Sequence, residues 1–112
     1  MSRLDKINKA RELVIKVDGF EFSGAYATLE QALIYEQEQT SRPEICRNHI
    51  TGWSGVKESD VVDDGKKENI DFDPRIFAYA IGNRPDWWNP IAQEVVKKSV
   101  DRALALQDNK KK

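Results

Sequence analysis

The feature that most constrains the fold of this chain is the dipeptide Asp18-Gly19, which lies between the two β-rich runs ELVIKV and FEFSGAY. Asp-Gly between such runs is the strongest short-range signal for a β-hairpin with a two-residue turn. The sequence therefore predicts a hairpin with strands at about 12–17 and 20–26. Because side chains alternate across a strand, the apolar residues of both runs are expected to share one buried face: Leu13, Ile15, Val17, Phe20 and Phe22.

Two capping signals predict helices directly after the hairpin. Thr28 is followed three residues later by Gln31, which is the pattern of a capping box, and the helix it opens is expected to extend to about Gln39. Ser41 is followed by Arg-Pro-Glu, and proline is tolerated in the first turn of a helix. A second, short helix is therefore predicted at about 42–50.

Two further helices are predicted in the C-terminal half. Asp73 as N-cap and Pro74 at the first helical position begin one of them, and Gly82 is expected to end it. After NRPD, interpreted as a turn, Asn89-Pro90 is expected to begin the longest helix. Its apolar residues recur at helical spacing and form one broad stripe: Trp88, Ile91, Ala92, Val95, Val96, Ala103 and Leu106.

The remaining segments have weaker patterns. Within 51–73, ITGWSGV is interpreted as a short strand or a turn, and KESDVVDDGKKEN as a loop or a loose second hairpin. A frayed, flexible end is expected at 1–9 and a flexible, solvated tail at 107–112. The predicted fold class is α+β, with an N-terminal β-hairpin followed by a helix-rich region of about four helices, in a single compact domain over 1–112.

Composition excludes several classes of function. With 18 basic and 19 acidic residues, the net charge of -1 gives no field that would attract nucleic acid or an anionic membrane. The single cysteine, Cys46, excludes a disulfide framework within the chain. No apolar run approaches the ~20 residues that span a bilayer, and the N-terminus lacks the apolar segment of a signal peptide. We therefore expect an intracellular, soluble protein that binds neither nucleic acid nor membrane.

The candidate catalytic patterns are weak. Cys46 and His49 lie three residues apart on one predicted helix, so they could form a reactive thiolate–imidazolium pair. The alternative, which the sequence favours, is a buried cysteine beside a surface or capping histidine. The run GWSG at 52–55 does not match the G-x-S-x-G nucleophile motif, and the acids between Asp60 and Asp73 do not have EF-hand spacing. We expect no catalytic residue, cofactor or metal site, and hence not an enzyme.

The aromatic residues are the better candidates for function. Adjacent residues on a helix point about 100° apart, so Trp87 and Trp88 cannot both lie at the centre of one stripe. Trp88 continues the apolar stripe, whereas Trp87 is expected either in the core or facing a subunit or partner. Trp53 is expected to hold its loop on the core. The predicted partner-binding surface centres on Trp87 and Trp88, with Trp53 and Tyr79 as secondary members.

A family resemblance covers roughly residues 45–106. The order of a short helix, HITGWSGV, an acidic glycine-containing segment, NIDFDPRIFAYAI and a terminal helix resembles that of the small tail assembly chaperones of long-tailed bacteriophages and their prophages. The matching elements are the run GWSGV at 52–56, the dipeptide Asp64-Gly65 and the run IDFDP at 70–74.

The resemblance implies a non-catalytic role in virion morphogenesis. Members of this family bind the long helical tape measure protein, keep it soluble before the tail tube polymerises, and leave before the virion is complete. The implied partners are therefore the tape measure protein and, as a second candidate, the tail tube protein, in the cytoplasm of the bacterial host; a homo-oligomer is left open. The alternative is a small regulator or inhibitor from a mobile element that binds a folded host protein.

Overall fold

The predicted hairpin forms two strands of a three-stranded antiparallel sheet. The computed structural model describes residues 2–110, and in it strand β1 (Glu12–Val17) pairs with strand β2 (Phe20–Ala25). Asp18 and Gly19 have φ values of 48° and 87°, the left-handed conformations that a two-residue hairpin turn requires. Strand β3 (Ile50–Ser54) adds to the other edge of β2, so the sheet order is β1-β2-β3. The hairpin prediction is confirmed.

A β-bulge in the pairing of β2 with β3 determines which side chain of β3 enters the core. Ser23 pairs with Gly52, but Gly24 pairs with Ile50, so Thr51 is the extra residue. Ile50 is buried and Thr51 is exposed as a result. A Cβ atom on Gly24 would overlap the main-chain carbonyl of His49, so this position requires glycine.

The caps predicted for two helices form as expected. The Thr28 hydroxyl accepts a hydrogen bond from the Gln31 N–H at 3.1 Å, and the Gln31 side chain accepts one from the Thr28 N–H at 2.9 Å. A carboxylate oxygen of Asp73 accepts from the Arg75 N–H at 2.8 Å. The six helices of residues 2–110 are α1 (Arg3–Ala10), α2 (Leu29–Gln37), α3 (Arg42–His49), α4 (Glu58–Val61), α5 (Pro74–Asn83) and α6 (Pro85–Lys110).

The α+β class is confirmed, but two helices were not expected. The N-terminal segment, predicted to fray, forms α1, in which the Ser2 hydroxyl accepts from the Asp5 N–H at 3.1 Å. The segment after β3 forms the short helix α4. An isolated antiparallel bridge between Lys57 and Asn69 follows the pattern of the loose second hairpin, which was one of the two interpretations of this segment. At the C-terminus, α6 includes residues 107–110 of the predicted tail, and 111–112 lie outside the described residues.

The predicted boundary between the last two helices is wrong. Gly82 lies inside α5, and α6 begins at Pro85 rather than at Asn89. NRPD is therefore a corner between two helices, not a separate turn: Pro85 occupies the first helical position, where proline is favoured. Pro90 lies inside α6, where it cannot donate the main-chain hydrogen bond of a regular helix.

Trp87 occupies the centre of the core and has no exposed surface. Its ring centroid lies 5.2 Å from that of Phe20 and 5.0 Å from that of Phe22, both in edge-to-face geometry. With α6 beginning at Pro85, Trp87 starts the row that continues four residues apart with two other fully buried side chains, Ile91 and Val95. The expectation that Trp87 faces a partner is therefore corrected: its indole joins α6 to the sheet.

Replacing Trp87 with alanine is expected to lower the free energy of unfolding by about 3–5 kcal/mol, because it leaves a large cavity between helix and sheet. Trp87→Phe is expected to cost less, since a phenyl ring keeps part of the contact with Phe22 and removes a buried indole N–H that has no acceptor among the described residues. Urea denaturation of both variants measures the difference. A Trp87→Ala protein as stable as the wild type would contradict this assignment.

Candidate protein-binding surface

An open groove between α4 and α5 is an apolar concavity lined by one of the predicted site residues, Tyr79. We call it the Tyr79 groove. Its volume is about 600 Å³. Tyr79 is 58% exposed, a large fraction for an aromatic side chain, and Val62 and Ile76 are also exposed. Its apolar lining consists of Val61, Val62, Ile70, Ile76 and Tyr79.

Local hydrogen bonds position both walls of the Tyr79 groove. A carboxylate oxygen of Asp60 accepts from the Lys57 N–H at 2.8 Å and so caps the start of α4. The Ile70 N–H donates a hydrogen bond to the Val56 carbonyl at 2.9 Å, which holds this lining residue close to the end of β3. On α5, Ile76 and Tyr79 are three residues apart and so lie on the same side of the helix.

Trp53 supports the groove from behind. Its indole N–H donates to the Ile70 carbonyl at 2.9 Å, and its ring lies 5.1 Å from Phe72 and 6.2 Å from Phe77 in edge-to-face geometry. Trp53 was predicted to hold its own loop on the core; it lies instead in strand β3, and its indole holds the later segment around Ile70. Trp53 thus orients a lining residue of the groove rather than lining it.

The charge around the Tyr79 groove is mainly acidic. Glu58 and Asp73 line it together with Arg75, whose guanidinium pairs with Asp73 at 3.2 Å and holds the pKa of that carboxyl below its ordinary value. An adjoining cavity that also touches Tyr79 is lined by Asp60, Asp63 and Asp64 and by Arg84, whose guanidinium pairs with Asp86. A partner segment with basic residues beside its apolar stripe would complement this rim.

Arg84 joins the groove region to the core, a role that the sequence did not reveal. Its guanidinium lies 4.3 Å from the Trp87 ring centroid, donates to the Asp60 carbonyl at 2.8 Å and pairs with Asp86 at 2.7 Å. The interaction with Asp86 raises the pKa of Arg84 and lowers that of the Asp86 carboxyl. Because NRPD was interpreted as a turn, the ion pair between Arg84 and Asp86 was not predicted. The spacing Arg-x-Asp at the start of a helix is the signal that could have indicated it.

The four predicted site residues do not form one patch. Tyr79 is exposed in the groove, Trp53 lies behind it, and Trp87 is buried in the core. Trp88 is half-buried and packs against the core, and its carbonyl accepts from the Cys46 thiol at 3.6 Å. Of the four, only Tyr79 is therefore an exposed candidate, and its exposed neighbours Val62 and Ile76 were not predicted.

Cys46 and His49 do not pair with each other. Burial raises the pKa of the Cys46 thiol to about 12, which keeps it protonated at neutral pH. Both imidazole nitrogens of His49 have other partners: Nδ1 lies 3.0 Å from the Ala25 carbonyl, and Nε2 lies 2.7 Å from the Tyr35 hydroxyl. This geometry does not provide a nucleophilic thiolate–imidazolium pair.

The His49 contacts determine its tautomer and its charge. A carbonyl oxygen only accepts, so Nδ1 carries the proton, and Nε2 accepts from the Tyr35 hydroxyl. That hydroxyl in turn accepts from the Asn48 amide at 3.3 Å. Burial lowers the pKa of the imidazole below its ordinary value, although the hydrogen bond to Ala25 partly opposes the shift. His49 therefore connects β2, α2 and α3 as a neutral group.

Among the described residues, no set of three or more His, Cys, Asp or Glu side chains could hold a metal ion. In the same part of the chain, no helix is both long and apolar enough to cross a membrane. Several acids of the 58–73 segment instead bond to nearby main-chain groups, as when Glu58 accepts from the Lys66 N–H at 3.0 Å.

As the pH falls from about 7.5 to about 5.5, we expect the free energy of unfolding to decrease. The unfolded chain protonates His49 near the ordinary pKa of about 6.5, whereas the folded protein does so only at lower pH; the proton therefore favours the unfolded state. Urea denaturation measures the loss, and NMR titration of the chain's single imidazole measures the folded-state pKa. A folded-state midpoint at or above the ordinary value would refute the assignment.

Tyr35→Phe is expected to destabilise the protein by about 1 kcal/mol at neutral pH, because it leaves the buried Nε2 of His49 without a donor. Tyr79→Phe is the matched control, since Tyr79 is exposed and its hydroxyl makes no hydrogen bond among the described residues. Equal stabilities of the two variants in urea denaturation would contradict the role of Tyr35.

No protein-family model, curated protein or solved structure matches this chain. The resemblance to tail assembly chaperones accordingly remains a prediction that depends on the runs at 52–56 and 70–74 and on the dipeptide Asp64-Gly65.

Proposed function

We propose that this protein is a tail assembly chaperone of a bacteriophage or prophage, which binds the tape measure protein in the host cytoplasm and keeps it soluble. The observation that supports this function best is the Tyr79 groove. It is an open, apolar, acid-rimmed concavity suited to one face of an amphipathic helix. The chaperone is released before the virion is complete, when tube subunits cover the same helical face.

The runs that carry the resemblance build the groove, which supports the proposal. Gly55 has a φ of 82°, and this left-handed conformation turns the chain out of β3. Val56 is fully buried and accepts the hydrogen bond from Ile70, while Trp53 donates to the Ile70 carbonyl. The run at 70–74 then supplies Ile70 as lining residue and Asp73 as the cap of α5.

The chemistry of the groove fits transient recognition of a helix. Tyr79 offers a large contact area with a polar end, which is common in residues that dominate binding energy. Ile76 and Val62 are exposed beside it and contribute apolar area without a deep cavity. A shallow, open groove of this kind permits release, because no buried charge or enclosed side chain has to be extracted.

Co-expression with the tape measure protein of the same phage-like element tests the proposal. We expect the tape measure protein to become soluble and to co-purify with the chain. Replacing Tyr79 with serine should weaken the complex by roughly 30-fold, which corresponds to about 2 kcal/mol. Leu33→Ser is the matched control, because Leu33 is 54% exposed on α2, outside the groove, and its replacement should leave binding unchanged.

Two outcomes would contradict the proposal. If the tape measure protein stays insoluble while this chain is folded, the chaperone function is wrong, and the alternative of a regulator that binds a folded host protein takes its place. If Leu33→Ser weakens the complex as much as Tyr79→Ser, binding does not depend on the Tyr79 groove. Circular dichroism of each variant establishes that it is folded before binding is measured.

A further inference from the structure

A second apolar groove lies between α1 and the C-terminal half of α6. We call it the Arg102 groove; its volume is about 440 Å³. Ile7 is 56% exposed and Leu106 is 63% exposed, so large apolar side chains on both walls are open to solvent. The apolar lining comprises Ile7 and Ala10 of α1, Ala27 before α2, Leu29 at the start of α2, and Ala103 and Leu106 of α6.

Among the described residues that line this groove, the charged side chains are those of two arginines, Arg11 and Arg102. Tyr26 holds them at the same place: the Arg11 guanidinium donates to the Tyr26 carbonyl at 3.1 Å, and the Arg102 guanidinium lies 5.4 Å from the Tyr26 ring centroid. Tyr26 thus holds two positively charged guanidinium groups beside an apolar surface.

Neither arginine is neutralised by a carboxylate of the described residues. The ion pairs there join Asp73 with Arg75, Arg84 with Asp86, and Glu94 with Lys98. The Nε group of Arg11 is buried and has no hydrogen-bond partner in the same part of the chain, so it is not itself open to an external anion. The donors that remain for an anion are those of the Arg102 guanidinium and the Nη–H groups of Arg11 that are not bonded to Tyr26.

We propose that the Arg102 groove binds an amphipathic helix of a partner protein that carries an acidic side chain beside its apolar stripe. The apolar stripe would lie on Ile7, Ala103 and Leu106, and the carboxylate would pair with Arg102 and Arg11. Arginine suits this role because its planar guanidinium is weakly hydrated and binds a carboxylate with two parallel hydrogen bonds.

The sign of the charge separates this site from the Tyr79 groove, whose rim is acidic. The two grooves select different helical segments, one with basic and one with acidic flanks. This inference goes beyond the proposed function, because it concerns a different surface and holds for any partner with the stated chemistry.

A double-mutant cycle between protein and peptide tests the inference. The probes are two synthetic 18-residue amphipathic helices with the same leucine stripe, one with glutamate beside the stripe and one with glutamine in its place. Their affinities for the full chain and for Arg102→Gln are measured by fluorescence anisotropy at low ionic strength. On the wild type, we expect the glutamate peptide to bind about tenfold more tightly than the glutamine peptide. On Arg102→Gln, that preference should disappear.

Three control variants distinguish binding in the Arg102 groove from attraction to overall charge and from binding in the Tyr79 groove. Lys16→Gln removes the same charge from an exposed position on β1 and should leave the preference intact. Leu106→Ser should weaken both peptides about tenfold, because it removes apolar contact. Tyr79→Ser should change neither affinity.

The inference is overturned if the glutamate peptide does not bind the wild type, or if its preference survives in Arg102→Gln. An equal loss in Lys16→Gln would show attraction to overall charge, and a loss in Tyr79→Ser would place the peptide in the other groove; either result would also overturn it. These results do not depend on the tape measure protein, so failure here is distinct from failure of the proposed function.

Discussion

Contact between the Trp87 indole and the aromatic residues of β2 joins the two halves of this molecule. A sheet with one apolar face and a helix with one apolar stripe must each bury that surface against another element. Trp87 lies against Phe20 and Phe22 on the sheet side, and its fully buried position fixes the rotation of α6 about its axis. Arg84 covers the outer face of the same indole and bonds to the main chain of α4. The core contact and the wall of the Tyr79 groove are therefore parts of one connected arrangement.

Signals that act over a few residues were sufficient to predict much of the fold. The Asp18-Gly19 turn, the capping box at Thr28 and the Asp73 cap each depend on hydrogen bonds or dihedral angles within four residues. These interactions depend only on residues that are close in sequence, and they form at the predicted positions. The third strand was ambiguous because its pairing partner, β2, is separated from it by two helices.

The candidate site was predicted less well, and the reason is geometric. Placing the start of α6 at Asn89 instead of Pro85 left Trp87 outside the helix, so the row that it forms with Ile91 and Val95 was not recognised. The exposed residues Val62 and Ile76 occur in apolar runs that resemble core segments. Sequence spacing does not show which apolar residue a neighbouring element will cover. Tyr79 alone was predicted and is exposed.

The length of α6 has a consequence for how the molecule opens. Among the side chains of α6 that the structure describes, Ser99 is the last that is buried, and every one from 100 to 108 is partly or fully exposed. The segment 100–108 packs only partly on the rest of the protein, and an isolated helix shorter than ~12–15 residues is marginal in water. Its main-chain amides should therefore open at lower free energy than those around Val95. Hydrogen exchange would accordingly divide α6 into a slow and a fast half near Ser99. Slower exchange in the distal half, when another molecule is added, would report occupation of that end of the protein without any label.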